Sequence, residues 1–331
     1  MVMCAMRFDL RAPAFGPAST RDIYASCLDM SVWAEEQAFD ILVLSEHHGV
    51  DDQYLSAPLA MAGVIAGRTR AIPINIAALL VPLHDPIRLA EELAVLDLAT
   101  GGRVSIVAGA GYRREEFDMA GVEYRARGKL LEEYIGVMRT AWKGEPFEWR
   151  GRTVQVTPTP VSVPHPMIML GGSTEVAARR SARLGLPLFP AIGDPQLRAW
   201  YDDEAAKVGF EGGFVILPSG PSFVYVTDDP ERAWSDLAPY LLHEVQTYDS
   251  WQTGDQRSAV HLGDATIDGL RAAEDQYWVV TPDECLERAS RLGPSGSLVF
   301  HPMIGGCPPD LAWPSLELAA EAVLPRLRDP G

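Results

Sequence analysis

The chain has 331 residues, of which 47% are hydrophobic and 22% are charged; this is the composition of an ordered globular protein and excludes a largely disordered chain. Asp and Glu together number 45 against 28 Lys and Arg, so the formal net charge is −17. Such a charge repels phosphate backbones and anionic lipid headgroups. We therefore expect neither a nucleic acid nor a membrane surface as a partner.

The four cysteines are scattered along the chain without a C-x-x-C pair, so local spacing builds neither a zinc ribbon nor a dithiol redox motif. Arg7 and Asp9 interrupt the apolar run near the start of the chain. A signal peptide needs an uninterrupted apolar segment, so this run is not typical of one. No later stretch approaches 18 consecutive apolar residues. We expect free thiols and a cytoplasmic location.

Short apolar runs alternate with amphipathic helical stretches, a pattern typical of a parallel sheet covered by helices. Eight runs are predicted as strands: Met6–Leu10, Ile41–Leu44, Ile72–Ala78, Val104–Ala108, Met167–Leu170, Leu186–Pro190, Phe223–Val226 and Leu298–Phe300. No G-x-G-x-x-G turn follows the first strand. The pattern therefore favours a (β/α)₈ TIM barrel, as a single domain over residues 1–331, rather than an open doubly wound sheet.

The stretch Pro86–Leu98 is predicted as one of the covering helices, with Asp85 as its N-cap. Its apolar stripe is predicted to consist of Ile87, Ala90, Leu93, Ala94 and Leu98.

Two connections are too long for plain loops and predict insertions, one after strand four and one before strand eight. Residues 111–166 contain a predicted helix, Arg125–Trp142, and a hairpin that turns at Arg150-Gly151. Residues 248–296 contain a predicted helix that begins at Thr281, preceded by a polar stretch at 252–257. We expect that polar stretch to be a poorly ordered lid in the cofactor-free protein.

Active sites of α/β barrels form at the carboxyl ends of the strands. After strand two, Glu46, His47 and His48 bring one carboxylate and two imidazoles to that end, and a histidine near neutral pH can act as a general acid or base. Two loop histidines with satisfied hydrogen bonds are the alternative. Adjacent residues in an extended segment point to opposite sides, so these histidines do not suit one shared metal ion, and we predict no metal site.

Two glycine-containing turns follow strands five and four. Gly171-Gly172-Ser173-Thr174 precedes a predicted helix, and the N–H groups at a helix start together with hydroxyls suit a phosphate, although the same pattern is typical of an ordinary helix cap. Gly109 to Arg114 forms the second turn, which is locally basic. Together the two turns predict a phosphorylated ligand.

Several longer motifs share a familiar order. Residues 81–92 read Val-Pro-Leu-His-Asp-Pro-Ile-Arg-Leu-Ala-Glu-Glu, and Leu96-Asp97, Thr100-Gly101-Gly102-Arg103, and Gly109-Ala110-Gly111 to Glu116-Phe117 follow them. With Glu46-His47-His48 before them and Thr281-Pro282-Asp283-Glu284 near the end, the chain resembles the luciferase-like monooxygenase family over most of its length.

This resemblance implies a (β/α)₈ barrel, commonly dimeric, that binds reduced FMN or the deazaflavin F420 at the carboxyl ends of its strands. It implies that His47 matches the catalytic histidine of luciferases, with Glu46 and His48 beside it. Ala77-Ala78 matches a pair joined by a cis peptide against the flavin ring in family members.

One departure from the family concerns the flavin phosphate, because Ala110 stands where luciferases carry an arginine for it. The phosphate would then rest on 171–174, with Arg113 or Arg114 as substitutes. The predicted cofactor-binding residues are Ala77, Ala78, Gly109, Gly111, Arg113, Gly171, Gly172, Ser173 and Thr174.

The first functional hypothesis is an FMNH₂-dependent two-component monooxygenase of a small organic substrate, supplied by a separate flavin reductase. The close alternative is an F420-dependent dehydrogenase or reductase that transfers a hydride. A third is a flavin-binding paralogue without turnover, which the retained Glu46-His47-His48 segment disfavours. The substrate stays open.

Overall fold

The computed structural model describes residues 2–251, 264–293 and 296–328. The strands of this part are β1 Met3–Phe8, β2 Ile41–Leu44, β3 Ile74–Leu79, β4 Val104–Ala108, β5 Phe147–Trp149, β6 Arg152–Val154, β7 Ile168–Gly171, β8 Leu188–Phe189, β9 Phe223–Val226, β10 Tyr277–Val280 and β11 Ser297–Phe300. The helices are α1 Thr20–Glu36, α2 Pro58–Arg68, α3 Pro86–Thr100, α4 Arg114–Ala120, α5 Arg127–Ala141, α6 Glu175–Arg183, α7 Pro195–Val208, α8 Pro230–Trp251, α9 Ile267–Ala272, α10 Pro282–Ser290, α11 Pro309–Ala322 and α12 Leu324–Arg328. Within these described residues, no helix has the length and apolar character needed to cross a membrane.

The chain folds into two compact units. The first consists of Met1–Val43, Val50–Leu55 and Pro218–Gly331, and the second of Leu44–Gly49 and Ser56–Leu217.

In the first unit β1 lies between β11 and β2 and pairs with β11 in parallel, with Met3 opposite Ser297 and Met6 opposite Phe300. A separate parallel pair is formed by β9 and β10. Helix α1 starts at a capping box in which the Ser19 hydroxyl accepts the Asp22 N–H. The unit therefore combines parallel strands with helices, as an α/β fold does.

In the second unit the parallel strands follow the order β3-β4-β7-β8. Strands β5 and β6 form a separate antiparallel hairpin. The carboxyl ends of parallel strands meet at one edge of a sheet, so the segments after β3, β4 and β7 lie along the same edge. That edge carries most of the predicted site.

Each of the eight predicted strands overlaps an observed strand, and three of them, Ile41–Leu44, Val104–Ala108 and Phe223–Val226, have the predicted bounds. The prediction missed Tyr277–Val280, which is β10. All four residues of β10 are buried, and its run of two aromatic and two valine residues is a strand signal by itself. It was missed because it lies within the long connection at 248–296.

Helix α3 confirms the predicted start, since the Asp85 carboxylate accepts the N–H groups of Ile87 and Arg88. Its buried stripe differs from the prediction. Leu89 belongs to it, whereas Leu98 lies at the edge of the stripe and is 43% exposed. The helix ends at Gly101, whose φ of 66° is the left-handed conformation that favours glycine.

The predicted hairpin is confirmed as β5 and β6, which turn at Arg150-Gly151, and the predicted helix before it is α5. The capping box at Thr281 with Glu284 begins α10. The second long connection starts later than predicted, because Tyr248 is buried in the last turn of α8. The predicted lid at 252–257 lies outside the described residues.

The Asp97 motif stabilises the long connection between β6 and β7. Asp97 is fully buried, and its carboxylate accepts the N–H groups of Val161 and Ser162 at 2.7 and 2.8 Å and the Ser162 hydroxyl. One side chain thus holds this segment against α3. The Leu96-Asp97 motif, which contributes to the family resemblance, therefore stabilises the fold.

We predict that Asp97→Ala lowers the free energy of unfolding by about 3 kcal/mol, because it removes three hydrogen bonds to a fully buried carboxylate. The matched control is Asp118→Ala, since Asp118 is exposed. It should change the free energy of unfolding by less than about 0.5 kcal/mol. Urea unfolding checks both variants, and equal effects would contradict this role for Asp97.

Candidate active site

Glu46 is a buried carboxylate that follows β2 and accepts three N–H donors. Its Oε1 accepts Nε2–H groups from His48 and His84, each at 2.9 Å, and its Oε2 accepts the backbone N–H of Leu80. Burial alone raises the pKa of Glu46, but the hydrogen bonds from His48 and His84 lower it to about 2. Glu46 is therefore ionised at any ordinary pH, and its hydrogen bond raises the pKa of His48.

His47 turns to a second buried carboxylate, that of Glu116 on α4. The His47 Nδ1 and Glu116 Oε1 atoms are 2.8 Å apart, and the same oxygen accepts the backbone N–H of His48 at 3.0 Å and Arg113 Nη1 at 3.2 Å. Burial alone raises the pKa of Glu116, but the hydrogen bond from His47 keeps it below its ordinary value. An ionised Glu116 accepts a proton at Nδ1, so neutral His47 presents a basic Nε2.

The hydroxyl of Tyr112 lies 3.2 Å from this Nε2 atom. The Tyr112 ring meets the His47 ring edge-on, with centroids 5.4 Å apart. His47 is therefore in contact with a carboxylate on one ring nitrogen and a phenol on the other. Such a set of groups can hold or transfer a proton.

Arg113 was predicted as a cofactor-binding residue, and the structure places it among the buried residues of this site. Its Nη1 donates to the His48 carbonyl at 2.9 Å as well as to Glu116. Its charge is thus paired with a carboxylate. Arg114, the other predicted basic residue of this turn, is exposed and lies 5.1 Å from the centre of the Tyr124 ring.

The predicted residues of β3 and β4 lie side by side. The peptide bond between Ala77 and Ala78 is cis, as the resemblance implied. A Cβ atom on Gly109 would stand 3.0 Å from the Ala78 Cβ, so glycine permits this close approach of the two strand ends. Gly111 follows with a φ of 75° and leads into Tyr112.

The predicted phosphate turn follows β7 and opens α6. Thr174 is the N-cap, and its hydroxyl accepts the Ala177 N–H. Ser173 is buried, and its hydroxyl accepts the Ala191 N–H at 3.0 Å, which leaves its own proton to donate. Gly172 has a φ of 120°, and a Cβ there would lie 2.7 Å from the Ala177 Cβ. The turn thus requires glycine at 172.

Three residues of this site had no predicted role: His84, Tyr112 and Glu116. All three lie inside motifs that carried the family resemblance. Their pairing with Glu46 and His47 joins residues 38 to 69 positions apart. No local spacing reports such a contact.

A second buried cluster of charged residues lies in the first unit and was not predicted. Arg11 is fully buried and its Nε lies 3.1 Å from both Asp9 and Glu244, while its Nη1 pairs with Asp52. Among the described residues, Asp9, Glu244 and His301 are the group whose ligand atoms lie close enough for a metal ion, within 4.8 Å of one another. Because Arg11 already supplies the positive charge to both carboxylates, we assign no metal there.

The comparison with family models identifies the fold family. Residues 6–295 match the model described as luciferase-like monooxygenase. The chain belongs to the luciferase-like monooxygenase family. The resemblance seen in the sequence is thereby confirmed.

A curated relative is the FMNH₂-dependent dimethylsulfone monooxygenase of Pseudomonas putida, which is 28% identical over 215 residues, or 62% of this chain and 58% of that protein. The chain spans about half the length of the curated relatives that it matches.

Two solved structures share the fold. Monooxygenase RslO1 from Streptomyces bottropensis superposes with a TM-score of 0.77 at 21% identity, covering 98% of this chain and all of that one. An F420-dependent secondary alcohol dehydrogenase gives a TM-score of 0.69 at 18% identity, covering 99% of each chain. At these identities the likeness is one of α/β fold.

We predict that Glu46→Gln lowers the free energy of unfolding by about 3 kcal/mol between about pH 4.5 and 6.5, because it leaves the half-buried His48 cation without its buried carboxylate. The folded-state pKa of Glu46, about 2, is below its ordinary value of 4.5, so the ion pair stabilises above that value and is lost as the pH falls towards 2. Above about pH 6.5, His48 loses its proton as the pH rises through its raised pKa, and the pair weakens again.

Urea unfolding of both proteins at about pH 3 and 5.5 measures this difference. The control is Glu145→Gln at an exposed carboxylate, which should change little at either pH. A difference between Glu46→Gln and wild type that does not depend on pH would contradict the ionised Glu46.

Proposed function

We propose that this protein is the oxygenase component of an FMNH₂-dependent two-component monooxygenase, and that it acts on a small organic substrate. The family and the FMNH₂-dependent relative from Pseudomonas putida support this proposal. The observation that carries it is the buried His47–Glu116 pair at the carboxyl edge of the second unit. We infer a separate flavin reductase as partner, because no nicotinamide-binding G-x-G-x-x-G turn follows a strand.

Reduced FMN, when bound, would supply the reaction with O₂ that oxygenates the substrate. The residues of this chain would position the bound ligands and transfer protons to and from them. Glu116 keeps the His47 proton on Nδ1, so Nε2 can accept a proton and return it. His47 is only 6% exposed, which keeps this proton transfer away from bulk water. Glu46 and His48 fix the segment that carries His47.

The residues after β7 fit the phosphate of FMN. The Thr174 cap takes the Ala177 N–H, and the N–H groups of the preceding first-turn residues are those that a helix leaves without an intrahelical partner. The Ser173 hydroxyl can donate to the same anion. We propose that this turn, residues 171–174, binds the phosphate in place of the arginine that luciferases carry at the position of Ala110. We place Ala77, Ala78, Gly109 and Gly111 beside the flavin ring.

F420 is the alternative cofactor, and it would make the protein a hydride-transfer enzyme. Its polyanionic tail needs a basic patch on a protein of charge −17. The Arg113-Arg114 turn was the candidate for that patch, yet the Arg113 guanidinium is buried against Glu116, which leaves Arg114 as the exposed base of the turn. This pairing favours FMN. The retained pairing of His47 with Glu116 disfavours the non-catalytic paralogue.

We infer a single closed (β/α)₈ barrel domain over residues 1–331, with insertions at 111–166 and 248–296, and a cytoplasmic location. We also propose a homodimer. Helices α2 and α3, which contact each other, support it, because they carry Val64, Val95 and Leu98, which are 43–52% exposed.

We predict that His47→Ala lowers turnover about 10²-fold or more, the usual scale for losing a general acid or base, while cofactor affinity stays nearly unchanged. His48→Ala should lower turnover less, because the His48 ring donates to Glu46 rather than to the Glu116 carboxylate that pairs with His47. Product formation with a flavin reductase supplying FMNH₂ measures both. A dead His48 variant beside an active His47 variant would reverse these roles.

We predict that Gly172→Val weakens binding of reduced FMN at least about 10-fold, because it blocks close approach of the backbone to the phosphate. Gly209→Val is the matched control, since Gly209 also has a positive φ of 68° but caps α7, outside the proposed phosphate turn. In the wild-type protein, inorganic phosphate should compete with the cofactor for binding at this turn. Anaerobic fluorescence titration measures these affinities. Equal affinity of the two glycine variants for reduced FMN would exclude the turn as the phosphate site. Loss of binding in Arg113→Ala alone would exclude it as well.

We predict that Val64→Asp combined with Val95→Asp converts the dimer to a monomer, because both place charge on the α2–α3 face. Light scattering after size exclusion measures the mass. The exposed Val208 on α7 serves for the control Val208→Asp, which should leave the mass unchanged. A wild-type monomer would contradict the homodimer itself.

A further inference from the structure

Tyr112 stands next to the proton-carrying atom of His47. The two nitrogens of an imidazole are its only proton-carrying atoms, and in His47 they face Glu116 at 2.8 Å and the Tyr112 hydroxyl at 3.2 Å. His47 itself is 6% exposed, whereas Tyr112 is half-buried. Tyr112 is thus the more accessible residue of the pair.

Tyr112 is held in this position from both sides. Gly111 before it has a φ of 75°, which turns the chain out of β4. The Tyr124 hydroxyl donates to the Tyr112 carbonyl at 3.1 Å. After it, Arg113 is buried and donates to Glu116 and to the His48 carbonyl. The backbone that carries the phenol is therefore held by Tyr124 on one side and, through Arg113, by the site itself on the other.

The protonation states follow from the carboxylate. Because Glu116 is ionised, neutral His47 carries its proton on Nδ1, and Nε2 accepts the O–H of Tyr112. A proton that arrives at the phenol oxygen from a ligand can replace the phenol proton, which moves to Nε2. The products are a neutral tyrosine and an imidazolium beside the Glu116 carboxylate, and the reverse transfer returns the proton to the ligand.

We propose that Tyr112 is a catalytic residue, the group that exchanges a proton with the bound ligand, and that His47 acts on the ligand through it. The proposal rests on the proposed function, in which His47 is the acid–base residue. It predicts a coupled relay of three groups, Tyr112, His47 and Glu116, in which the ligand contacts a phenol rather than an imidazole.

The first experiment requires no substrate. 3,5-Difluorotyrosine is incorporated at position 112 in the full chain, which keeps the ring and its hydroxyl but lowers the pKa of the phenol. ¹⁹F NMR of this position is recorded against pH. With a hydrogen bond to His47, the ¹⁹F shift should follow two steps, one of which disappears in His47→Gln. A single step that His47→Gln leaves unchanged would overturn the relay.

The second experiment measures the rate at which O₂ oxidises reduced FMN in the presence of the protein, as a function of pH and with FMN as the only ligand. Tyr112→Phe should slow the pH-dependent part at least about 10-fold with unchanged FMN affinity, and the difluorotyrosine protein should restore the rate with its alkaline limb moved to lower pH. Tyr134→Phe on α5 is the matched control and should behave as wild type.

The outcomes separate the relay from the proposed function. If His47→Gln abolishes the pH dependence but Tyr112→Phe leaves rate and profile as in wild type, the relay is wrong and His47 acts directly. If His47→Gln itself leaves rate and profile unchanged, the proposed acid–base function of His47 fails, and the relay fails with it. If the difluorotyrosine protein keeps the wild-type alkaline limb, Tyr112 has a structural role only.

Discussion

Glu46 and Glu116 are two buried carboxylates that take hydrogen bonds from successive residues of one short segment, and the candidate site depends on them. An ionised carboxylate without partners costs several kcal/mol to bury, so each must keep its donors. Glu46 takes His48, His84 and the Leu80 N–H, while Glu116 takes His47, the His48 N–H and Arg113. The segment after β2 is thereby joined to the ends of β3 and β4.

This arrangement gives the two adjacent histidines different chemistry. His48 shares an oxygen of Glu46 with His84, and its raised pKa reflects that ion pair, which stabilises the fold. His47 has a carboxylate on Nδ1 and a phenol on Nε2, which is a set of groups for moving a proton. Of these two neighbouring residues, His48 thus stabilises the site, whereas His47 is placed to transfer a proton.

Much of the fold was predictable, because local patterns report local structure. Unbroken apolar runs such as Ile41–Leu44 predicted parallel strands, and Asp85 and Thr281 predicted helix starts that the structure has. The missed strand β10 carries the same kind of signal but sits inside a long connection. The stripe of α3 was misplaced at Leu98, since periodicity fixes the middle of a buried face better than its edges.

The site was predictable only in part. The position of Glu46-His47-His48 after a strand indicated where chemistry would lie, but not which carboxylate each histidine would contact. Arg113 illustrates the difficulty, because a basic residue in a glycine-containing turn suggests an anion site, whereas folding pairs it with Glu116 three residues later. The cluster around Arg11 joins residues from distant parts of the first unit and left no pattern in the sequence.

An anaerobic competition titration shows whether the carboxyl edge of the second unit binds reduced FMN, as we propose. Wild-type protein is titrated with reduced FMN, oxidised FMN and F420, each followed by fluorescence, and then with pairs of them. We expect reduced FMN to bind most tightly and to displace the others. Tight binding of F420 that reduced FMN fails to displace would overturn the FMN proposal and assign the protein to hydride transfer.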